Sequence, residues 1–591
     1  MYDITPPRGD NLNINATKED ILTNPTMNYH HVSQKYYNLG SFHRPVTTIS
    51  HTAQTWFDRG LIWTYGFNHE EAARCFEEAI HDDPNCAMAY WGLAVTLGPN
   101  YNKPWHVFDE KERQRAVERT RQATSEAKGA ASYATPVEKA LIDALQFRYP
   151  LDSPISDCPS WNLRYADAME CVYREFSDDL DVVTLYADSL MELTPWELWD
   201  IDTGKPAPKA HTMVVKSVLD HALTQKHAYR HPGLLHLYIH LMEMSPTPEN
   251  ALAVADHLRG LVPDAGHLNH MPTHLDILCG DYRRAIASNS DAIRADEQFL
   301  ARQGPVNFYT LYRSHDYHFR VYAAMLAGQS SVALETVQLL ESSVPVELLR
   351  VESPPMADWL EAFLSMRVHV LIRFGRWADI VNLELPQDRK LYCVTSAMVH
   401  YGKGVALAAM GRVQEAEVEK ISFHSAIDRV PSSRRLFNNS CLDILRIAST
   451  MLDGELEYRK GNIDFALSHL RRAVNLDDRL PYDEPWGWMQ PVRHAYGALL
   501  LEQGNVKEAL QTYSADLGID NTLPRPLQHP NNVWALHGYH ECLIRLGRPI
   551  ESQVVRQQLK LAVATADVDI NSSCFCRQGT NGWTESPKCC I

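Results

Sequence analysis

Small and aromatic residues recur along the chain with a spacing that predicts paired helices. Between residues 53 and 86 they occupy positions 4, 8, 11, 20, 24, 27 and 32 of a 34-residue frame. These residues are Trp56, Gly60, Trp63, Ala72, Phe76, Ala79 and Pro84. Small residues at this spacing let two helices approach closely, and the aromatic residues fill the space between units. The pattern therefore predicts a helix–turn–helix unit that buries its apolar faces against neighbouring units.

The same frame returns further along the chain. Units begin at Pro232, Gly266 and Ser314, and others follow towards the C-terminus. Small or aromatic residues at the frame positions of these units are Gly280, Ala285, Ala292, Gly328, Ala333, Gly454, Gly461, Ala466, Gly497, Gly504, Ala509, Trp534 and Gly538. This pattern resembles that of the tetratricopeptide-repeat family. The resemblance implies an all-α helical-repeat superhelix, or α-solenoid, with a central groove or chamber.

Three regions follow from this pattern. Residues 1–45 are polar, with scattered proline and asparagine, and are predicted to form a flexible N-terminal arm. Residues 46–565 are predicted to form the repeat domain, and residues 566–591 a cysteine-containing tail. Two tryptophan-rich loops, 195–210 and 481–491, interrupt the repeats. We expect both loops to close over the groove, because long loops in helical arrays often reach a functional surface.

The charge balance excludes one large class of partner. The 591 residues carry a formal net charge of −17, whereas nucleic-acid binding needs clustered positive charge. No apolar run reaches the length of a membrane span, and the first residues do not resemble a signal peptide. We therefore expect no nucleic-acid partner, no membrane insertion and a cytoplasmic location.

Four of the 12 cysteines are concentrated near the C-terminus, as Cys574, Cys576, Cys589 and Cys590. The thiols of a Cys-X-Cys sequence can bind soft metal ions or be oxidised. We interpret the tail as a structural end, with metal delivery and closure over a site as alternatives.

The 27 histidines are concentrated in the repeat frame. Seven of them fall at positions 2, 5 or 9 of three neighbouring units: His236, His240, His267, His270, His274, His315 and His318. Spacings of three and four residues place side chains on one face of a helix. In tetratricopeptide repeats, positions 2, 5, 9 and 12 of the first helix line the concave groove. The resemblance therefore implies that these histidines share one stretch of groove with Glu243, at position 12.

Neutral imidazole is a leading protein ligand for transition metals, and two histidines four residues apart on a helix can hold one ion. We therefore expect a transition-metal cofactor, with copper first and zinc or iron as alternatives. Glu243 would be a ligand or the catalytic base. Copper would make the chain an oxidase or oxygenase acting on a small organic molecule in the groove. Zinc would instead support a hydrolase or cyclase.

Roles that need no metal also fit the same histidines. Each single histidine fits equally well as a hydrogen-bonded core or surface residue, and duplication of a repeat would copy histidines without need. Tetratricopeptide grooves usually bind peptides, so a non-catalytic scaffold for a peptide or protein partner is the alternative function. Metal storage or delivery is a further alternative.

Five residues outside the histidine frame are candidates for substrate binding: His69, Asn100, Trp199, Trp486 and Arg493. The histidine could cap a helix or add a ligand, and the asparagine lies in a predicted turn. The tryptophans could wall a pocket, and the arginine could bind an anionic group. Packing and surface roles fit each of these residues equally well.

Three motifs also resemble those of a narrower group of bacterial and fungal tetratricopeptide-repeat proteins. They are Phe67-Asn68-His69, the HxxxHxxE motif from His236 to Glu243, and the GHLxHMPxH motif from Gly266 to His274. The resemblance covers roughly residues 46–577. It implies a shared histidine site in a superhelix, but it implies no particular reaction.

Overall fold

The computed structural model describes residues 36–577. By internal contacts the chain divides into a first unit, Met1–Asn38, and a second unit, Leu39–Ile591. Most of the predicted arm lies outside the described residues. Arg44, from the end of that predicted arm, is buried in the second unit and forms ion pairs of 2.7 Å with Asp179 and Asp181.

The second unit is built almost entirely of α-helices. The first half contains α1 (His51–Tyr65), α2 (His69–Asp82), α3 (Ala87–Leu97), α4 (Glu110–Ala130), α5 (Pro136–Arg148), α6 (Cys158–Glu175), α7 (Leu180–Met191), β1 (Trp199–Asp200), β2 (Lys205–Pro206), α8 (Thr212–Ala222), α9 (Pro232–Glu243), α10 (Leu252–Leu258), α11 (Gly266–His270), α12 (Pro272–Leu278) and α13 (Tyr282–Gln303). The second half contains α14 (Thr310–Ala327), α15 (Ser330–Ser343), α16 (Val346–Leu349), α17 (Met356–Leu360), α18 (Met366–Arg373), α19 (Trp377–Val381), α20 (Cys393–Ala409), α21 (Val413–Ile427), β3 (Arg435–Leu436), β4 (Asn439–Ser440), α22 (Cys441–Arg459), α23 (Ile463–Asp477), α24 (Val492–Glu502), α25 (Val506–Asp516), α26 (Val533–Arg545) and α27 (Pro549–Val563).

The small residues of the repeat frame allow the close helix packing that the sequence predicts. Gly60 in α1 and Gly92 in α3 both lie against the ring of Phe76 in α2. A Cβ atom at these positions would approach that ring to 2.8 Å and 2.3 Å respectively. Asn68 caps α2 by accepting a hydrogen bond from the backbone N–H of Glu71 at 3.3 Å. Consecutive helices pack against one another along the chain, so the prediction of an all-α helical-repeat superhelix is confirmed.

The unit beginning at Gly266 departs from a continuous first helix. Helix α11 ends at His270, and α12 begins at Pro272. Proline lacks a backbone N–H and clashes with the preceding turn, so a continuous helix is broken at this point. His270 and His274 lie on either side of this break, and both side chains are buried.

The two pairs of short strands are hairpins. Strand β1 pairs with β2 inside the loop 195–210, and β3 pairs with β4 around a turn at Phe437 and Asn438. The second hairpin is held from the loop 481–491, because the Asp483 carboxylate accepts hydrogen bonds from Asn438 N and Asn439 Nδ2 at 3.2 and 3.0 Å.

The described part of the C-terminal tail packs onto the helices. Asp567 accepts a hydrogen bond from the backbone N–H of Ser330 at 2.6 Å, and Arg577 pairs with Glu541 at 2.7 Å. Cys574 and Cys576 form a disulfide. Residues 578–591, with Cys589 and Cys590, lie outside the described residues. Along residues 36–577, no helix combines the length and the apolar character required to cross a bilayer.

Candidate metal centre

Six of the seven predicted histidines form two groups of three. Triad 1 consists of His236, His240 and His267, and triad 2 consists of His270, His274 and His315. Within each triad the nitrogen atoms that could bind a metal lie within 4.8 Å of one another. Three nitrogen atoms around one ion at about 2.05 Å would be roughly 3.3 Å apart. The three nitrogen atoms of each triad are therefore grouped closely enough for small side-chain movements to form a three-histidine metal site.

Neighbouring helices supply the histidines of both triads. Helix α9 provides two members of triad 1, and α11 provides the third. Triad 2 takes its members from the end of α11, from α12 and from α14. The six rings are buried, with His315 the most exposed at 6%. Because α11 contributes to both triads, the two candidate ion positions are adjacent.

A single carboxylate orients one histidine of each triad. The Glu243 Oε1 atom accepts a hydrogen bond from His240 Nδ1 at 2.8 Å, and its Oε2 atom accepts one from His274 Nδ1 at 2.5 Å. A histidine that donates through Nδ1 presents an unprotonated Nε2 to a metal, and such carboxylate–histidine contacts are typical of metal sites. Glu243 was predicted as a ligand or a base; here both of its oxygens contact histidines.

Two more histidines of the triads are oriented through Nδ1 in the same way. His236 Nδ1 donates to the backbone carbonyl of Tyr65 at 2.6 Å. His270 Nδ1 donates to Asn289 Oδ1 at 2.7 Å, and Asn289 Nδ2 is fixed by its own bond to the Ala285 carbonyl at 2.9 Å. Four of the six rings therefore have a defined tautomer in which Nε2 carries no proton.

Several ring nitrogen atoms of the triads have no hydrogen-bond donor opposite them among the described residues. The Nε2 atoms of His236 and His240, and both ring nitrogens of His267, are buried without a hydrogen-bond partner among the described residues. In triad 2, the Nε2 atoms of His270 and His274 face each other at 2.9 Å. Buried polar atoms without partners are costly. A cation in each triad would satisfy the lone pairs of these Nε2 atoms and of one His267 nitrogen.

Burial keeps these imidazoles in the form that binds metals. It lowers the pKa of His240 and His270 to about 3 and that of His274 to about 4. The pKa values of His236, His267 and His315 are also lowered by burial and then by neighbouring histidines. At neutral pH the rings are therefore uncharged.

The donor set fits a transition metal. Three imidazoles with further coordination positions open are found in catalytic zinc sites, and imidazole also suits copper and iron. Magnesium and calcium prefer oxygen ligands, which neither triad supplies.

A third combination, His267 with His270 and Asp316, also brings ligand atoms within 4.8 Å. It shares one histidine with each triad. The Nδ1 atom of His270 lies 3.5 Å from Asp316 Oδ1, but the same atom donates the shorter bond of 2.7 Å to Asn289. The two triads are therefore the better candidate ligand sets, and Asp316 lies behind His270.

A cavity of about 440 Å³ opens beside both triads, and its wall includes His240, His267, His274 and His315. The two tryptophan-rich loops meet at this cavity. Trp196 from the first loop and Asp483 and Glu484 from the second line its wall, and the rings of Trp196 and Tyr482 are 6.5 Å apart. Each loop therefore forms part of the boundary of the chamber.

The seventh histidine lies outside the triads. The ring of His318 packs against Phe363 at 5.2 Å and Phe437 at 6.4 Å, and both of its nitrogens are buried without a partner in the described part of the chain. His69 is also separate: its Nδ1 bonds to the carbonyl of Thr96 at 2.8 Å, and the Asn100 amide lies 3.4 Å away. The roles predicted for these residues stay predictions.

The remaining candidates are engaged in structural contacts. Trp199 Nε1 donates to the carbonyl of Leu241 at 2.7 Å, and Trp486 Nε1 donates to Asp477 Oδ1 at 3.1 Å. Arg493 forms a bidentate pair with Asp478, with one bond at 2.7 Å. None of these three side chains is part of the described wall of the 440 Å³ cavity.

Several aromatic residues at the site were not predicted from the sequence. Phe67 packs against three rings, with centroid distances of 4.5 Å to His236, 5.9 Å to His240 and 5.7 Å to His267. Phe437 approaches His315 at 4.7 Å from the second hairpin. Phe67 belongs to a motif that the sequence made visible; Phe437 lies in a region without any repeat signal.

Comparison with known proteins identifies part of the repeat. Residues 68–97, which span α2 and α3, match the family model described as tetratricopeptide repeat. This stretch is similar to a tetratricopeptide repeat. The prediction of tetratricopeptide repeats is confirmed for these residues, and repeats of this type support a partner-binding role through their extended concave surfaces.

No curated protein matches the chain. Among solved structures, the complex of Naa15/Naa10 bound to HypK-THB is 13% identical, with 87% of this chain and 71% of that chain covered and a TM-score of 0.20. The hetero-tetramer of the APC/C proteins Cut9 and Hcn1 is 12% identical, with 88% and 94% covered and a TM-score of 0.21. At these TM-scores neither similarity carries an argument about fold or function.

Proposed function

We propose that this tetratricopeptide-repeat chain binds two transition-metal ions, one in each histidine triad, and acts with them on a small organic molecule in the adjoining cavity. The observation that carries the proposal is the contact of Glu243 with both triads. One carboxylate fixes the tautomer of His240 and of His274, so that each presents Nε2 to its own ion.

Copper is the first candidate metal, and an oxidase or oxygenase is the corresponding activity. Paired all-histidine positions suit copper, which binds most tightly among the divalent first-row ions. Zinc is the alternative, and it would supply a water of lowered pKa for hydrolysis or cyclisation. In either case the chain orients the ligands, excludes bulk water from the triads and holds the organic molecule next to them.

Metal content tests the proposal directly. Purified protein without a histidine tag, analysed by elemental mass spectrometry after reconstitution, should contain about two ions of one metal per chain. The double variant His240→Ala, His274→Ala should lose them while its circular dichroism spectrum is retained. A variant with two exposed histidines replaced, His51→Ala, His81→Ala, is the matched control and should keep both ions. A stoichiometry unchanged in the triad variant would refute the assignment.

A partner-binding scaffold is the second candidate, and the repeat at residues 68–97 is the observation in its favour. The two functions differ in what the histidines do. A scaffold should bind its peptide or protein partner equally well with and without His240 and His274, and it should need no metal. If partner binding is lost only when the metal is removed, the chain binds its partner through the metal-loaded site and has both functions.

A further inference from the structure

The cavity beside the triads has one corner that differs from the rest of its wall. Apart from the four histidines of the triads, nine of the other 15 wall residues are apolar or aromatic, among them Trp196, Phe308, Leu311, Tyr312, Trp359 and Phe437. Pockets of this composition bind flat, largely apolar molecules and use a few polar groups to orient them. The polar groups at the corner therefore determine which functional group a ligand needs.

Arg435 presents a free edge of its guanidinium at this corner. Its Nε donates to the carbonyl of Phe437 at 3.2 Å, and its Nη2 donates to that of Asn438 at 2.5 Å. Within the described residues, Nη1 makes no hydrogen bond and the side chain forms no ion pair. The backbone contacts thus hold a positive charge in place without neutralising it.

A second donor lies on the element that packs against this strand. Helix α17, which carries Trp359, contacts β3, which carries Arg435. The Trp359 Nε1–H is buried in the cavity wall and has no hydrogen-bond partner in residues 36–577. Two unused donors, one of them charged, favour an acceptor group that carries negative charge.

The acidic residues in the wall do not cancel this preference. Asp483 already accepts hydrogen bonds from Asn438 N and Asn439 Nδ2 at 3.2 and 3.0 Å. Glu484 Oε1 accepts a hydrogen bond from the Tyr482 hydroxyl at 2.8 Å. Burial raises the pKa of both carboxyl groups well above the usual range, while hydrogen bonds and the charge of Arg435 lower that of Asp483 by less. Burial therefore disfavours the negative charge that would oppose a bound anion.

We infer that the cavity binds an aromatic carboxylate, with the carboxylate on Arg435 and Trp359 and the ring among the aromatic side chains that lead to the triads. The inference rests on the proposed function, because it names the class of molecule presented to the metal centre. A carboxylate matches two neighbouring donors, and the aromatic wall accounts for the ring.

Calorimetric titration with 2-naphthoate and its neutral isostere 2-naphthamide tests this inference on full-length protein. In both metal-free and zinc-loaded protein, naphthoate should bind at least about tenfold more tightly than naphthamide. A hydrogen bond between two oppositely charged groups provides an affinity difference of this size. Arg435→Gln should remove this preference by weakening naphthoate alone, and Arg435→Lys should restore part of it. Arg429→Gln, which changes an exposed arginine outside the cavity, should leave both affinities unchanged.

The two proposals fail in different ways. Equal affinities for naphthoate and naphthamide, or a preference unchanged in Arg435→Gln, would overturn the aromatic carboxylate even if both metal ions are present. An Arg435-dependent preference in a protein that binds no metal would retain the ligand class and refute the metal centre. A preference that appears only in zinc-loaded protein and survives Arg435→Gln would place the carboxylate on the metal, and would overturn the role of Arg435.

Discussion

His270 and His274 direct their Nε2 atoms at one another across 2.9 Å, although the Nδ1 atom of each ring already donates a hydrogen bond to another residue. Two neutral imidazoles in these tautomers present two lone pairs to the same point. Burial lowers the pKa of His270 to about 3 and that of His274 to about 4, so a shared proton is disfavoured at neutral pH. A metal cation between the rings would resolve this arrangement, with His315 as the proposed third ligand.

Replacing Glu243 by glutamine should weaken metal binding in both triads at once. The amide has one acceptor and one donor group, so it cannot accept hydrogen bonds from both His240 Nδ1 and His274 Nδ1. Loss of such a contact typically lowers metal affinity by about 10- to 100-fold. Competition with a chromophoric chelator measures this change.

Glu419→Gln is the matched control, because Glu419 contacts His400 Nδ1 at 2.7 Å outside the triads. Its metal affinity should equal that of the unmodified protein. Affinities that fall equally in both variants would show that the loss is not specific to Glu243.

Single substitutions should remove the two ions separately. His236 belongs only to triad 1 and His315 only to triad 2, so each alanine variant should retain about one ion per chain. Elemental analysis of the two variants and of the double variant gives the count. Loss of all metal in either single variant would indicate one shared site rather than two.

The close packing of the first repeat predicts a large effect of one methyl group. Gly92→Ala would place a Cβ atom 2.3 Å from the ring of Phe76, and overpacking of this kind costs about 1–3 kcal/mol. The thermal midpoint should fall. Gly129→Ala is the control, because nothing lies within 4 Å of its Cβ position. That substitution lies in α4 and should be neutral or stabilising by up to about 1 kcal/mol. Equal midpoints for the two variants would argue against the packing of Gly92 on Phe76.

The metal-free protein should lose stability as the pH falls below about 6.5. Burial holds the pKa of His240 and His270 near 3 and that of His274 near 4, whereas histidines in the unfolded chain titrate near 6.5. Between these values the unfolded state binds protons that the folded state does not, so acidification favours unfolding. Each histidine contributes up to about 1.4 kcal/mol per pH unit.

Denaturant titrations of chelator-treated protein between pH 7.5 and 5 measure this dependence. The variant with exposed His51 and His81 replaced should show the same slope. A free energy of unfolding that stays constant over this range would contradict the burial of neutral histidines.

The repeat frame made much of the site predictable. Because the units are in phase, His236 and His240 could be placed beside His270 and His274 from spacing alone. The sequence did not predict how the histidines are divided between the two triads. His267 joins the triad of the preceding unit, and His274, which follows the helix break at Pro272, contacts Glu243.

The cavity wall was less predictable, because it depends on contacts between distant parts of the chain. Phe437 and Arg435 come from a short hairpin about 120 residues beyond His315, and no periodic signal marks them. Trp196 lines the cavity while Trp199, three residues later, donates to the backbone of α9. Composition identifies a tryptophan-rich loop, but only the folded structure determines which ring faces the chamber.

The most direct test of the two-ion centre is anomalous X-ray scattering from crystals of the reconstituted protein, recorded on both sides of the absorption edge of the bound metal. Two anomalous peaks are predicted, one within coordination distance of His236, His240 and His267 and one within coordination distance of His270, His274 and His315. Crystals that diffract at the edge but show no peak at either triad would contradict the metal centre.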